Sequence, residues 1–175
     1  MNEFIKLLDE NLEYVNHEII DDTIYINVVS TRKDVVCPYC GKISSKVHSH
    51  YERSFQDLPI QGKKVKITLD NRKMFCNSHD CNHTTFAESF EFLLFKGKKT
   101  KRLDDKIINI SMNVSSLTAT HILRNNVANV GKSTICNLLK KRTPIINNSN
   151  ISKKCIDDFA FKKRDRYGTI YEERV

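Results

Sequence analysis

The 175 residues include no tryptophan, so no core here can be built around the largest side chain. No stretch approaches the run of about 18 apolar residues that crosses a membrane. The first dozen residues carry Glu3, Asp9 and Glu10 where a secretory leader would keep an unbroken apolar segment. Internal repeats and low-complexity tracts are also missing. These absences argue against membrane-spanning and secreted classes and place the chain in the cytoplasm. In that reducing compartment, cysteines spaced in pairs are metal ligands more often than disulfides.

What is present is globular and basic. Hydrophobic residues make up 39% and charged residues 29%, with Leu, Ile, Val and Phe spread along the whole length, which rules out a disordered chain. Lys and Arg number 29 against 21 Asp and Glu, a formal charge of +8 that favours a polyanionic partner through a long-range, salt-sensitive attraction. Double-stranded DNA is the partner this predicts, with no membrane involved. A length of 175 residues suits small modules, each with a modest core.

The hydrophobic pattern divides the chain. Phe4, Leu7, Leu8 and Leu12 recur at helical spacing and predict a short N-terminal helix. Ile24, Ile26 and Val28 alternate with polar neighbours, as do Val65, Ile67 and Leu69, and Val47 to Phe55 reads as another strand. Gln61-Gly62 marks the turn between the last two. Residues 96–102 form a charge run without apolar periodicity and read as a basic linker. Beyond it, Leu103 to Ile110, Leu117 to Leu123 and Ile135 to Leu139 predict three helices, the last stopped at Thr143-Pro144 before a polar loop at 147–150. A final strand-like segment starts near Cys155. The expected class is α+β: a β-rich zinc-binding domain at 1–95, a linker at 96–102, a helical DNA-binding segment at 103–145, and a separate piece at 151–175.

Cysteine spacing supplies the chemistry. Cys37 and Cys40 are two residues apart on a tight turn, and Gly41 lets backbone amides point at sulfur. Cys76 and Cys81 form a second pair with four residues between them. The 35 residues from Cys40 to Cys76 exceed a minimal zinc ribbon, but they contain two strands that would bring the chain back to its start. Four thiolates leave no open coordination position, so the implied cofactor is a structural zinc ion that contributes folding energy. His79 or His83 could instead supply a nitrogen ligand in the second pair. Cys136 and Cys155 have no partners at ligand spacing and read as small core residues.

The span from Leu117 to Lys141 matches a helix-turn-helix in length, with Asn129-Val130-Gly131 as its turn. Ser133 would cap the second helix while Ile135, Leu138 and Leu139 face the core. Lys132, Ser133, Thr134, Asn137, Lys140 and Lys141 would then be left to meet bases and phosphates. Gly131-Lys132-Ser133-Thr134 imitates the end of a phosphate-binding loop, but Asn126 stands where that motif needs its first glycine and no apolar strand precedes it, which excludes ATP. The lysines at 96–102 and Lys63, Lys64 and Lys66 could lie along a DNA backbone or simply be solvated.

The ordered set C-P-Y-C-G at 37–41, R-S-F-Q-D-L-P-I at 53–60, C-N-S-H-D-C at 76–81 and T-T-F-A-E at 84–88 resembles the ISL-three group of bacterial insertion-sequence transposases. The likeness extends to I-D-D-F-A-F-K-K at 156–163 and R-Y-G-T at 166–169. It implies a zinc-binding domain, a helix-turn-helix and an RNase H-like catalytic domain carrying an Asp-Asp-Glu triad. Residues 151–175 would be the truncated first hairpin of that catalytic domain, and Asp157 its first metal-binding carboxylate, with Asp158 as the neighbouring possibility. Magnesium would belong only to a full-length parent, where carboxylates hold two ions about 3.5–4 Å apart to activate the attacking oxygen and stabilise the leaving one. The second Asp and the Glu have no place in this sequence. The implied function is therefore a DNA-binding portion of a transposase that recognises terminal inverted repeats without cleaving them, either as a homodimer or with a full-length transposase. An active enzyme would need carboxylates from a second chain. A zinc-containing transcriptional regulator, or a repressor of transposition, is the alternative.

Overall fold

The computed structural model describes residues 1–142 and the strands at 153–162 and 166–174. The chain divides into two compact units, Met1–Lys140 and Lys141–Val175.

In the first unit a short helix, α1 (Asn2–Lys6), precedes β1 (Leu12–Ile20) and β2 (Thr23–Ser30). A small hairpin of β3 (Val35–Val36) and β4 (Ile43–Ser44) follows, then β5 (Val47–Ile60), β6 (Lys63–Phe75) and β7 (Thr85–Ala87). The main sheet has the order β1-β2-β6-β5, with β7 paired to the far end of β6. β2 and β6 run parallel, from Thr23 opposite Lys64 to Val29 opposite Asp70, whereas the other pairs are antiparallel. Parallel neighbours need a crossover. The β3–β4 hairpin and β5 provide it, and this is what inserts a sheet between the two cysteine pairs.

Alternation on the strands sets the core. Ile24, Ile26 and Val28 from β2, Val65, Ile67 and Leu69 from β6, and Phe55 from β5 are buried on one face, joined by Ile5, Leu12, Phe90 and Leu93. Each such side chain contributes roughly 1.5–3 kcal/mol on burial. Gln61 and Gly62 have φ of 50° and 78°, the two positive values of a tight hairpin turn whose twist suits the flanking strands.

The N-terminal helix is shorter than its periodicity predicts. It ends at Lys6, Phe4 and Leu7 are exposed, and the fully buried Leu12 opens β1 instead. The Asp9 carboxylate accepts a bond from the Asn11 backbone amide at 2.9 Å, a local turn that competes with helix continuation. β1 itself had no sequence signal, because Leu12 is its single buried position.

Three helices follow: α2 (Lys101–Ser111), α3 (Ser116–Asn126) and α4 (Lys132–Arg142). The Thr100 hydroxyl accepts from the Leu103 amide at 3.3 Å and Ser115 accepts from the Thr118 amide at 3.2 Å, so both helix starts are capped. Leu103, Ile107, Ala119, Leu123, Val127, Ala128, Val130 and Ile135 form their common core, and Leu58 of β5 packs against it. α4 begins at Lys132, which places Ser133 in the first turn rather than at the cap expected from the sequence.

Residues 96–102, expected as a linker, are stitched to the sheet. The Gln56 amide donates to the Lys98 carbonyl at 2.9 Å, and the Thr100 amide donates to the Gln56 carbonyl at 3.0 Å. Lys101 and Arg102 already belong to α2. Backbone pairing of this kind is indifferent to side-chain charge, so a charge run could not reveal it.

In the second unit β8 (Lys153–Lys162) and β9 (Arg166–Arg174) pair antiparallel, with Asp157 opposite Ile170 and Asp158 opposite Thr169. The expected helix stop at Thr143-Pro144 and the loop at 147–150 lie outside the described residues.

Candidate metal centre

The first cysteine pair sits on the turn between β3 and β4. The Cys37 amide donates to the Lys42 carbonyl and the Gly41 amide donates to the Cys37 carbonyl, both at 2.9 Å, which folds the chain tightly around the two thiols. Gly41 has φ of 74°, a conformation that glycine adopts without the steric cost of a Cβ. Cys76 directly follows β6, and its amide donates to the Thr84 carbonyl at 2.8 Å. Cys81 lies on the loop that leads back to β7, its amide donating to the Ser78 carbonyl at 3.4 Å.

These two loops bring all four sulfur atoms within 4.8 Å of one another, with Cys40 Sγ and Cys76 Sγ at 3.5 Å. A tetrahedral ion with metal–sulfur bonds of about 2.3 Å would separate its ligands by about 3.8 Å. A disulfide would need about 2.05 Å, and all four thiols are free. The donor set therefore fits a shared structural zinc ion. Val35, Cys37, Met74 and Phe86 are buried around it.

His83 has another role. Its ring stacks on Tyr39 with centroids 3.5 Å apart and planes 3° from parallel, so the two cysteine loops also meet through an aromatic contact on the outside. His79 is exposed. Among the described residues, the group able to hold an ion consists of the four cysteines, with neither histidine in it.

The electrostatics of the cluster call for a cation. A backbone hydrogen bond from Lys42, helped by the neighbouring thiols and opposed by burial, pulls the Cys40 thiol down to about 7. At Cys76 the backbone bond from Ser78 acts downward, but burial and the three other thiols outweigh it and push the thiol up to about 12. Four crowded sulfurs cannot all ionise alone, so filling the site must expel protons.

Two acids from the motifs quoted above turn out to be buried, which sequence reading missed. Glu88, of T-T-F-A-E, is 1% exposed; it accepts from Arg72 Nε at 2.8 Å and Nη2 at 3.1 Å, and from the Ser30 hydroxyl at 2.7 Å. It thereby ties β6 and β2 to the segment after β7, beside the cysteine loops. Asp57, of R-S-F-Q-D-L-P-I, accepts from the Thr100 hydroxyl at 2.7 Å and from both ends of the Arg102 guanidinium. That hydrogen bonding raises the Arg102 pKa above its ordinary value. Asp57 so fastens the start of α2 to β5. Neither carried a signal of its own: Asp57 sits in β5 between Gln56 and Leu58, and Glu88 follows β7 between Ala87 and Ser89.

Of the residues expected to meet DNA, Lys132, Ser133, Asn137, Lys140 and Lys141 are exposed on α4, Thr134 is half-buried, and Ile135 beneath them is buried. None belongs to the cysteine cluster. The Gly131-Lys132-Ser133-Thr134 stretch follows α3 and a turn rather than a strand. Cys136 is half-buried on α4. Asp157 stands on β8.

Residues 33–81 fit the family model described as the zinc-finger of transposase IS204/IS1001/IS1096/IS1165, a span that contains all four cysteines. No curated protein and no solved structure matches the chain. None of the described helices is long and apolar enough to cross a membrane.

Proposed function

We propose that this chain is the DNA-binding portion of an insertion-sequence transposase and that it binds the terminal inverted repeats of its own element. The observation that carries this reading is the coincidence of four clustered sulfurs with the very segment that matches a transposase zinc finger. Zinc held by Cys37, Cys40, Cys76 and Cys81 would supply bonds that join two loops otherwise linked by a small core. It would leave no position for a reacting water.

Reading of the DNA falls to the helical segment. α3, the turn at 127–131 and α4 form a helix-turn-helix, and α4 enters the major groove. Ile135, at 0% exposure, anchors the helix. Lys132, Lys140 and Lys141 meet phosphates or guanine edges, Asn137 has the carboxamide that pairs with adenine, and Ser133 and Thr134 offer hydroxyls to either. These 175 residues by themselves are expected to bind without cutting, since a carboxylate at Asp157 alone cannot hold the two magnesium ions of strand cleavage.

The test is selection of bound fragments from the element's own DNA by the zinc-loaded chain. Terminal repeats are expected to be enriched, and Asn137→Ala is expected to relax the preference at one base pair by about tenfold, or roughly 1.4 kcal/mol. No magnesium-dependent nicking of the repeats should appear. Equal recovery of all fragments, or cleavage by the chain alone, would contradict the reading.

A further inference from the structure

Away from the cysteine site, a strip of cations lies on the sheet face opposite the apolar core. On β6, Lys64 and Lys66 alternate with the buried Val65 and Ile67, so they project from the other face, opposite Thr23 and Tyr25 of β2. The Lys66 ammonium lies 5.7 Å from the Tyr25 ring centroid. Lys98 and Lys99 join them because backbone bonds pin that stretch alongside Gln56. Arg124 arrives from α3, its Nε donating to the Val130 carbonyl at 2.9 Å and so held at the turn before α4.

These residues line two adjoining grooves of about 230 and 500 Å³ that share Gln56, Lys66 and Asn129. Five cations and no carboxylate line the pair. Among the described residues, none of the five is held in an ion pair. Uncompensated charge of one sign weakens a fold through self-repulsion and attracts a polyanion.

We infer that this strip is a second nucleic-acid contact, a seat for the phosphate backbone of duplex DNA that continues from the α3–α4 turn across the polar face of the sheet. The inference rests on the proposed DNA-binding function and adds a surface to it. Asn129 belongs both to the shared groove and to the turn that leads into α4, so a duplex engaged by that helix passes its backbone over the cations. The strip carries no base-reading geometry. It sets affinity and register while α4 sets sequence. The zinc-bearing sheet therefore contacts DNA in its own right, next to the helices it supports.

The experiment measures anisotropy of a short mixed-sequence duplex, titrated with the full zinc-loaded chain over a range of salt. Replacing Lys64, Lys66, Lys98 and Lys99 together with Gln is expected to reduce the slope of log affinity against log salt by about 3 to 4, alike for every DNA sequence. Asn137→Ala is expected to leave that slope unchanged and to alter sequence preference only. If the fourfold variant loses zinc or its thermal transition, single Lys66→Gln and Lys99→Gln variants are each expected to reduce the slope by about 1. Unchanged slopes in folded variants, with Asn137→Ala still altering preference, would overturn this inference and leave the proposed function standing. A wild-type chain that binds no duplex would overturn both.

Discussion

Around the four sulfurs the buried residues are Val35, Cys37, Met74 and Phe86, whereas between the helices Leu103, Ile107, Ala119, Leu123, Val127, Ala128, Val130 and Ile135 make a core twice as populous. The helices also carry side-chain caps at Thr100 and Ser115. The cysteine loops have backbone bonds, one exposed aromatic stack and an exposed Lys42–Asp80 ion pair at 3.9 Å. One region is held by burial of apolar surface and the other needs a cross-link. The difference explains why a four-thiolate site lies at the thin end of the sheet and why the helical segment needs none.

The largest effect that could break this comparison is loss of the cross-link. Chelation, or Cys76→Ser, is expected to unfold residues 35–46 and 76–86, because structural zinc in small modules is worth about 10–16 kcal/mol of apparent binding energy near neutral pH. Amide exchange should show these loops opening while α2–α4 stay protected. Simultaneous loss of the helices would show that the two regions are not held independently.

Next in size is the clasp beneath the cysteine loops. Glu88→Gln removes the charge opposite an Arg72 side chain that is 13% exposed, and breaking a buried pair on one side costs about 3–5 kcal/mol. Denaturant melts should register that loss with zinc still bound. An effect under about 1 kcal/mol would show that Ser30 and solvent satisfy Arg72 unaided.

Leu123→Ala tests the other side. At 0% exposure in the helical core, Leu123 is expected to cost about 2–5 kcal/mol on truncation and to leave metal content unchanged. A variant with depleted zinc would contradict the separation of the two cores.

Much of this contrast is readable from residue order alone. The C-x-x-C turn with Gly41, the alternation at 24–28 and 65–69 and the apolar spacing of α2–α4 are local signals, and the four cysteines come together as their spacing implies. The parallel pairing of β2 with β6 was invisible, because register between partners as distant in sequence as Thr23 and Lys64 leaves no trace in either strand's periodicity. The clasps at Asp57 and Glu88 were hidden for a different reason. A carboxylate on a strand or just past its end looks solvated until its partners, Arg102 for Asp57 and Arg72 for Glu88, are known to reach it. The strip at Lys64 to Lys99 was visible as charge, but its assembly into one face required the bond between Gln56 and Lys98.

The smallest predicted effect concerns protons. Above about pH 8 the Cys40 thiol, near 7, is already ionised, while Cys76, near 12, still holds its proton. Metal binding must expel that proton, so affinity is expected to rise with pH by about tenfold per unit or more. Calorimetry in two buffers of different ionisation enthalpy reads the proton release directly. A pH-independent affinity above that point would mean that Cys76 is not a thiolate ligand.

The most direct test of the whole account is the metal content of the purified full chain, weighed intact by native mass spectrometry before and after chelation. The prediction is one zinc ion per chain, lost together with amide protection in the two cysteine loops. A chain that carries no stoichiometric metal and keeps the same protection under chelation would contradict it.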